Sequence, residues 1–439
     1  MRSVRNKAAA GAFAAILAAG AFAAPSVEIT NVQQQYPWTN TVDITYTVQG
    51  VNKTHQTNRL DHIVNDTYFA TFEAKSGSTP IADVNGNTIF TNGLVQGNGT
   101  FTAQWHPAMD QQLTGCTMTP SVFRGEENAY LVINLVTNKN GKYDYWYEPM
   151  STQEASNQRY NTDEYKTTKL VLRRIKAGTY KLGAQSYTGN YDCSTKNSFH
   201  EVVIPEDYFA GIFEITEAQY ARIIDSTTGL NSKLPVGNIN WTTIRGTAFP
   251  QSVPAGFFEK MCAKLYDGFD LPTESMWEVA ARAGRTTRFI SGDAGSVAEG
   301  ITKYAWLPQN FNIRIGTGFR AAYNGYVHDV GLLKANAWGL FDVTGNVWEW
   351  VRDASRKSGE VGDLSKFATQ KANGLVPLQT SDTGDSNNAM IKGGGLECNA
   401  ATQRSMLSNM YIWTKNTSGP HVGFRVFWTP WKPVNAPTT

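Results

Sequence analysis

The segment from Asn336 to Trp350 constrains the fold of this 439-residue chain more than any other. It reads Asn-Ala-Trp-Gly-Leu-Phe-Asp-Val-Thr-Gly-Asn-Val-Trp-Glu-Trp, so it holds three tryptophans and two glycines. Indole rings fill volume where regular elements are few, and glycines let the backbone turn sharply. The segment therefore predicts tight turns packed against a core that depends on aromatic side chains.

The overall charge excludes one large class of function. The chain has 39 Lys and Arg residues against 37 Asp and Glu, which leaves a net charge of +2. Nucleic-acid-binding proteins need a basic surface, so we expect no nucleic-acid partner. The 12 Trp, 19 Tyr and 21 Phe residues are enough to build hydrophobic cores, and the length predicts about two or three domains.

The N-terminus has the pattern of a cleaved secretory signal over residues 1–23. Basic residues precede an alanine-rich apolar stretch, and the tripeptide Ala21-Phe22-Ala23 fits the small-x-small cleavage rule. A membrane anchor is the alternative interpretation. We expect an exported protein, periplasmic or extracellular, with no transmembrane segment after the signal is cleaved.

Export permits disulfide bonds among the four cysteines. Four cysteines allow three complete pairings, and the spacing does not select one of them. No Cys-x-x-Cys motif and no histidine cluster has the spacing of a zinc site. The cysteines are Cys116, Cys193, Cys262 and Cys398.

Residues 26–125 predict a small all-β domain. Apolar and polar residues alternate from Val42 to Val48, which is the period of a half-buried strand. Short strands separated by turns are typical of a β-sandwich, here expected to be a spacer or an interaction module. Residues 126–165 are expected to be a connector, with a polar loop over 151–163.

The following region carries three helix signals. Thr216-x-x-Gln219 is a capping box, which predicts that a helix begins there. Thr273 is suited to cap a helix that runs to about Ala283. An apolar i, i+4 stripe predicts a further helix, which carries Cys262 toward the core.

Five segments within residues 166–430 together resemble the formylglycine-generating enzymes, also called sulfatase-modifying factors. They follow one another in the order found in that family. They are Arg174–Gly183, Phe213–Tyr220, Leu271–Gly284, Asn336–Trp350 and Lys392–Arg425. The resemblance implies an α+β, loop-rich, C-type-lectin-like domain, with residues 431–439 as a tail.

The resemblance also implies a calcium site. In the family a loop like this one binds calcium, and the matching ligands are the side chains of Asp342 and Glu349 with the carbonyls of Gly345 and Val347. Two carboxylates with turn carbonyls suit a hard cation. The alternative is that the two carboxylates only accept hydrogen bonds from backbone amides.

The family's chemistry depends on two thiols. Its enzymes oxidise a cysteine in a Cys-x-Pro-x-Arg segment with oxygen and copper(I), and soft thiolates suit copper(I). The resemblance places Cys398 at the first thiol and Gln403 at the second, while Gly395 replaces a serine. An amide is a poor copper(I) ligand. We therefore expect no oxidase activity unless Cys193 or Cys262 supplies the second thiol.

The favoured function is binding of a peptide, a protein or a surface ligand on the lectin-like scaffold. Tyr, Trp and Asn are typical of binding surfaces, and some lectin-like proteins display variable residues in the closing segment. The candidate binding residues are Asn399, Asn409, Tyr411, Trp413 and His421. Three alternatives stay open: a buried strand at 411–413, a copper-dependent oxidase with Cys398 catalytic, and a structural envelope protein.

Overall fold

The computed structural model describes most of the chain between residues 25 and 429. The described residues are 25–35, 41–50, 55–57, 63–65, 68–83, 89–95, 98–108, 115–124, 126–150, 152–183, 199–246, 256–292, 300–306, 327–355, 367–378, 387–395, 407–408 and 410–429. They belong to two compact units, Met1–Asn128 with Pro149–Ala155 and Ala129–Glu148 with Ser156–Thr439. The predicted signal over residues 1–23 lies outside the described residues.

The first unit is built from antiparallel strands. One sheet has the order β1-β2-β8, a second has β6-β5-β7 with β9 also on β5, and β3 pairs with β4. The strands are β1 Ser26–Gln34, β2 Val42–Gln49, β3 His55–Thr57, β4 Ile63–Asn65, β5 Tyr68–Ser76, β6 Thr79–Pro80, β7 Ile89–Val95, β8 Gly99–Trp105 and β9 Thr117–Arg124.

Strand β2 shows why this sequence forms a two-faced sheet. Its alternate residues from Val42 to Val48 are buried, as the period of two predicts. The Tyr46 ring meets Phe72 of β5 edge-on at 4.9 Å and stacks on Phe101 of β8 at 5.7 Å. Side chains of the two larger sheets thus share one hydrophobic cluster, to which Cys116 also packs. The finer expectation of a β-sandwich stays a prediction.

The second unit mixes short helices with short strands. Its elements start in the predicted connector, where residues 126–128, 149–150 and 153–155 of the first three elements belong to the first unit. The elements are β10 Glu126–Thr137, β11 Tyr143–Met150, α1 Gln153–Tyr160, α2 Asp163–Thr167, β12 Lys169–Ile175, β13 Gly178–Leu182, β14 His200–Ile204, β15 Tyr208–Gly211, α3 Glu217–Ile223, α4 Trp241–Arg245, α5 Gly256–Lys264, β16 Phe269–Asp270, α6 Glu274–Arg282, β17 Trp348–Ala354, α7 Ala368–Ala372, β18 Asn388–Lys392, β19 Met410–Thr414, β20 Val422–Gly423 and β21 Phe427–Trp428.

Two sheets organise this unit, with the orders β11-β10-β12-β15-β21-β16 and β19-β18-β17-β20. Strands β17 and β20 are parallel, whereas the pairs β17–β18 and β18–β19 are antiparallel. Because these elements are short, large side chains complete the core, and Trp241, Trp277 and Trp350 are fully buried. Within the described ranges, no helix is both long and apolar enough to cross a lipid bilayer.

The prediction of a polar loop over 151–163 is wrong, because α1 occupies Gln153–Tyr160. The helix packs mainly through Tyr160, whose hydroxyl donates to Glu148 Oε2 at 2.6 Å and whose ring lies 4.5 Å from that of Tyr130. The helix buries only Ser156 and Tyr160, so it has no apolar stripe by which the sequence could reveal it.

The predicted capping box at the start of α3 is confirmed. The backbone amide of Gln219 donates to Thr216 Oγ1 at 3.1 Å, and the backbone amide of Thr216 donates to Gln219 Oε1 at 3.1 Å. Both side chains also reach the preceding segment, since Thr216 Oγ1 donates to the carbonyl of Lys166 and Gln219 Nε2 to that of Lys169. The box therefore joins α3 to the α2–β12 segment.

We expect Thr216→Ala to lower the free energy of unfolding by about 1–2 kcal/mol, because a cap and a buried hydrogen bond are lost together. Chemical denaturation of the full chain measures this loss. Thr227→Ala, at an exposed position after α3, is the matched control and should change stability little. Equal effects of the two substitutions would contradict the role of the cap.

Candidate functional site

Some of the predicted site residues lie in the part of the chain that the structure describes, and the others lie outside it. The loop residues Asp342, Gly345, Val347 and Glu349 are described, as are Tyr411, Trp413 and His421. The remaining ones, Cys398, Asn399, Gln403 and Asn409, lie outside the described residues, as does Cys193. The described groups are the tryptophan-rich loop before β17 and the strand β19.

A buried ion pair holds the tryptophan-rich loop. Glu349 on β17 is 1% exposed, and its Oε1 lies 2.8 Å from Arg425 Nη2. Trp277 Nε1 donates to Glu349 Oε2 at 2.7 Å. Arg425 also donates to the carbonyls of Gly211 and Phe341 at 2.9 and 2.8 Å. One guanidinium thus joins β17, β15 and the loop.

Two further buried carboxyls lie near this pair. Glu214 accepts hydrogen bonds from Asn346 Nδ2 at 2.7 Å and from the Val347 amide at 3.1 Å. Burial, followed by repulsion from Asp342 and Glu349, holds the pKa of Glu214 well above its usual range. Burial likewise raises the pKa of Asp342 to about 6.

Asp342 is held by the backbone and has one unsatisfied oxygen. Its backbone is left-handed, with φ of +53°, and its Oδ2 accepts from the amide of Gly331 at 2.6 Å. Its Oδ1 is buried and has no hydrogen-bond partner among the described residues. This oxygen is the one feature of the loop that favours an added cation.

The donor set as a whole does not fit a calcium ion. Both oxygens of Glu349 already accept from Arg425 or Trp277, so a calcium ion at Glu349 would compete with a buried guanidinium. No group of three or more His, Cys, Asp or Glu side chains suited to a metal occurs in the described part of the chain. The calcium site expected for Asp342, Gly345, Val347 and Glu349 stays a prediction.

A second buried charge network, which the sequence did not suggest, lies where the closing segment begins. Lys392 ends β18, and its Nζ lies 2.5 Å from Glu274 Oε1 and 3.2 Å from Glu278 Oε2. Glu278 also pairs with Arg282 at 2.7 Å and accepts from the amide of Gly183 at 2.8 Å. Within this network, only the pair of Glu278 and Arg282 could be inferred from the sequence, because these residues have i, i+4 spacing.

Gly393, directly after Lys392, is closely packed. Gly393 has φ of +91°, and a Cβ on it would lie 3.2 Å from the Trp277 ring. Its carbonyl accepts from the Gly345 amide at 3.1 Å. The start of the segment that leads to Cys398 is therefore fixed by a backbone conformation that favours glycine.

Strand β19 carries the described aromatic residues of the predicted binding surface. Tyr411 is 37% exposed and Trp413 is half-buried, with ring centroids 6.2 Å apart. Trp348 lies 6.1 Å from Tyr411. His421 is half-buried, and its carbonyl accepts from the amide of Trp348 at 2.8 Å. Tyr411 and Trp413 are two residues apart on a strand, so they share one face.

Cys262 is a poor candidate for a second copper thiol. The thiol lies on α5 and donates to the carbonyl of Phe269 at 3.8 Å. Burial raises the pKa of Cys262 to about 12. The thiol therefore stays protonated at neutral pH, whereas copper(I) binds the thiolate.

The Lys392 network predicts a pH dependence of stability. Burial raises the pKa of Glu274 to about 8, whereas Arg282 and Lys392 oppose the effect of burial and lower the pKa of Glu278 to about 2. The folded chain therefore keeps a proton on Glu274 that the unfolded chain releases above its ordinary pKa. Stability should fall as the pH rises from about 5 to about 9.

Glu274→Gln should reduce this fall, because an amide cannot lose the proton. Thermal unfolding across the same pH range measures it, with the exposed Glu259→Gln on α5 as the control. Buried Asp342 and Asp353, each with its pKa raised to about 6, contribute in the same direction, so some dependence remains. A pH profile of Glu274→Gln that matches the unsubstituted protein would contradict the assignment.

Comparison with known families defines the class of protein. A family profile described as "Sulfatase-modifying factor enzyme 1-like domain" matches residues 156–430. The chain belongs to this family. The match covers the second unit from α1 to β21 and includes the tryptophan-rich loop, the Lys392 network and β19.

Two curated relatives are formylglycine-generating enzymes that match only part of this chain. The chain is similar to the formylglycine-generating enzyme of Mycobacterium tuberculosis, with 38% identity over 91 residues, 19% of this chain and 27% of the relative. It is 28% identical to that of Thermomonospora curvata over 159 residues, 36% of this chain and 48% of the relative. The chain thus spans less than half the length of either enzyme.

A third relative carries a different name. The chaperone protein LppX of Paenibacillus barcinonensis is 25% identical over 211 residues, 41% of this chain and 70% of the relative. Among solved structures, PvdO from Pseudomonas aeruginosa has a TM-score of 0.44 at 17% identity, covering 59% of this chain and 94% of that one. Treponema denticola variable protein 1 has a TM-score of 0.40 at 20% identity, covering 60% and 96%.

Proposed function

We propose that this protein is an exported binding module of the sulfatase-modifying factor family that does not oxidise cysteine. The observation that carries the proposal comes from the sequence. The family's pattern has two thiols, whereas this chain has Cys398 at the first position and Gln403 at the second. Copper(I) needs both thiolates, and the half-buried Cys262, whose raised pKa keeps it protonated, is unsuited to replace the missing one. The first unit, as a β-sandwich, would be a spacer or interaction module.

The proposed ligand is an extended peptide that lies along β19. Support comes from Tyr411, which exposes part of its ring beside Trp413 and Trp348. Aromatic side chains of this kind provide contact area at a low cost in conformational entropy. The neighbouring strand β18 places Ile391 and Ala389 directly opposite Tyr411 and Trp413, and both are buried.

The backbone of β19 supports the same ligand. In the described ranges β19 pairs with β18 alone, so it is an edge strand. The amide of Lys415 donates to the carbonyl of Asn387 at 2.9 Å, and hydrogen-bonded pairs alternate along an antiparallel ladder. Tyr411 and Trp413 therefore bond to β18, while Ile412 directs its amide and carbonyl outward. An extended peptide would pair with these groups.

A peptide assay tests the absence of oxidase activity. A Cys-x-Pro-x-Arg peptide is incubated with the full chain, copper and oxygen, and mass spectrometry follows its conversion. We expect no aldehyde, and we expect Gln403→Cys to gain copper(I) binding because it restores the second thiol. Aldehyde formation that is lost in Cys398→Ser would overturn the proposal and establish the oxidase.

Binding is tested with an array of synthetic peptides, followed by fluorescence anisotropy on the peptides retained. Tyr411→Ala should weaken binding by about tenfold or more, while Tyr411→Phe, which keeps the ring, should weaken it less. Ile412→Pro removes one outward amide and leaves the pairing with β18 in place, so it should also weaken binding.

Two results would contradict a peptide site at β19. One is a retained peptide that binds all three variants with the same affinity as it binds the unsubstituted protein. The other is an array on which nothing binds to the folded protein, a result that would favour a structural envelope role.

A further inference from the structure

Three buried carboxyls surround one end of the tryptophan-rich loop. Glu214, Asp342 and Glu349 are each at most 3% exposed, and each acts electrostatically on at least one of the others. Buried carboxylates that face one another need compensating positive charge, because burial removes the water that would screen them. In relatives with a calcium ion at such a loop, the ion would supply that charge.

Arg425 supplies part of this charge from within the chain. Its guanidinium is buried, contacts both oxygens of Glu349, and acts electrostatically on Glu214 and Asp342 as well. The carbonyls of Gly211 and Phe341 fix it in place. The guanidinium thus donates hydrogen bonds to carboxylate and carbonyl oxygens, and a calcium ion would use oxygen atoms of the same kinds as its ligands.

Lys166 supplies charge on the side of Asp342. The lysine is 5% exposed, and its Nζ lies 5.5 Å from the centroid of the Phe213 ring. The Cε atom of Lys166 packs close to Gly331: if that glycine carried a Cβ atom, the Cβ would lie 3.3 Å from Lys166 Cε. The amide of the same glycine donates to Asp342 Oδ2 at 2.6 Å. Lys166 and Asp342 therefore flank one residue and attract each other electrostatically.

We propose that Lys166 and Arg425 take the place of a bound calcium ion in this chain and hold the tryptophan-rich loop without metal. The proposal follows from the misfit of Glu349 as a metal ligand. A divalent cation beside Asp342 and Glu349 would also lie close to two buried cations, which would repel it. The third carboxyl, Glu214, is satisfied by the hydrogen bonds from Asn346 and Val347.

The first test measures calcium directly on the full chain. The protein is dialysed against EDTA, and calorimetric titration with calcium chloride and thermal unfolding with and without calcium follow. We expect no binding heat and no change in Tm. Binding of calcium that Asp342→Ala abolishes, together with a calcium-dependent rise in Tm, would overturn the proposal, since alanine leaves no oxygen ligand at this position.

The second test is a double-mutant cycle on the positioning residue Lys166. Lys166→Met should lower Tm, whereas the same substitution in an Asp342→Asn background should lower it much less, because the carboxylate that needs the ammonium is gone. Lys139→Met, on an exposed turn, is the control and should leave Tm unchanged in both backgrounds.

Equal losses for Lys166→Met in both backgrounds would assign Lys166 a packing role only and overturn its part of the proposal. If Lys166→Met does not fold, Lys166→Arg keeps the charge and should retain most of the Tm in the unsubstituted background. A collapse of Lys166→Arg to the level of Lys166→Met would likewise contradict a role for charge.

Discussion

The buried pair between Arg425 and Glu349 is the interaction on which the family domain most depends. One side chain near the end of the chain contacts β17, the carbonyl of Gly211 on β15 and the carbonyl of Phe341 in the tryptophan-rich loop. Breaking a buried pair of this kind costs about 3–5 kcal/mol, because the remaining charge has no partner and no water. Short helices and strands alone would not fix these segments relative to one another.

The same strand links this core to the candidate binding surface. Glu349 points to the ion pair, while its neighbour Trp348 lies beside Tyr411 on β19. Adjacent residues of a strand point to opposite sides, so the side chains of Glu349 and Trp348 lie on opposite faces of β17, and both are buried. The Lys392 network fixes the end of β18 in the same sheet. The position of β19 therefore depends on charged side chains that are buried within the second unit.

Local patterns were predictable from the sequence, and long-range partners were not. The capping box of α3 depends on residues three positions apart, and the tryptophan-rich loop has its own composition signal. By contrast, Glu349 and Arg425 are separated by 76 residues, and Lys392 and Glu274 by 118. The predicted calcium site rests on a resemblance and on the spacing of Asp342 and Glu349, and nothing local in the sequence reveals that Arg425 contacts Glu349.

Under the proposed function, the edge position of β19 among the described residues would divide peptide recognition into two parts. Outward amide and carbonyl groups, such as those of Ile412, are the same whatever the side chains are, whereas the side chains at 411 and 413 project from a face of the strand. Substitutions at these two positions would change which partner is selected and would leave the backbone ladder with β18 intact. If β19 is the proposed peptide site, substitutions at 411 and 413 would let the chain acquire new partners during evolution while its hydrophobic core stays the same.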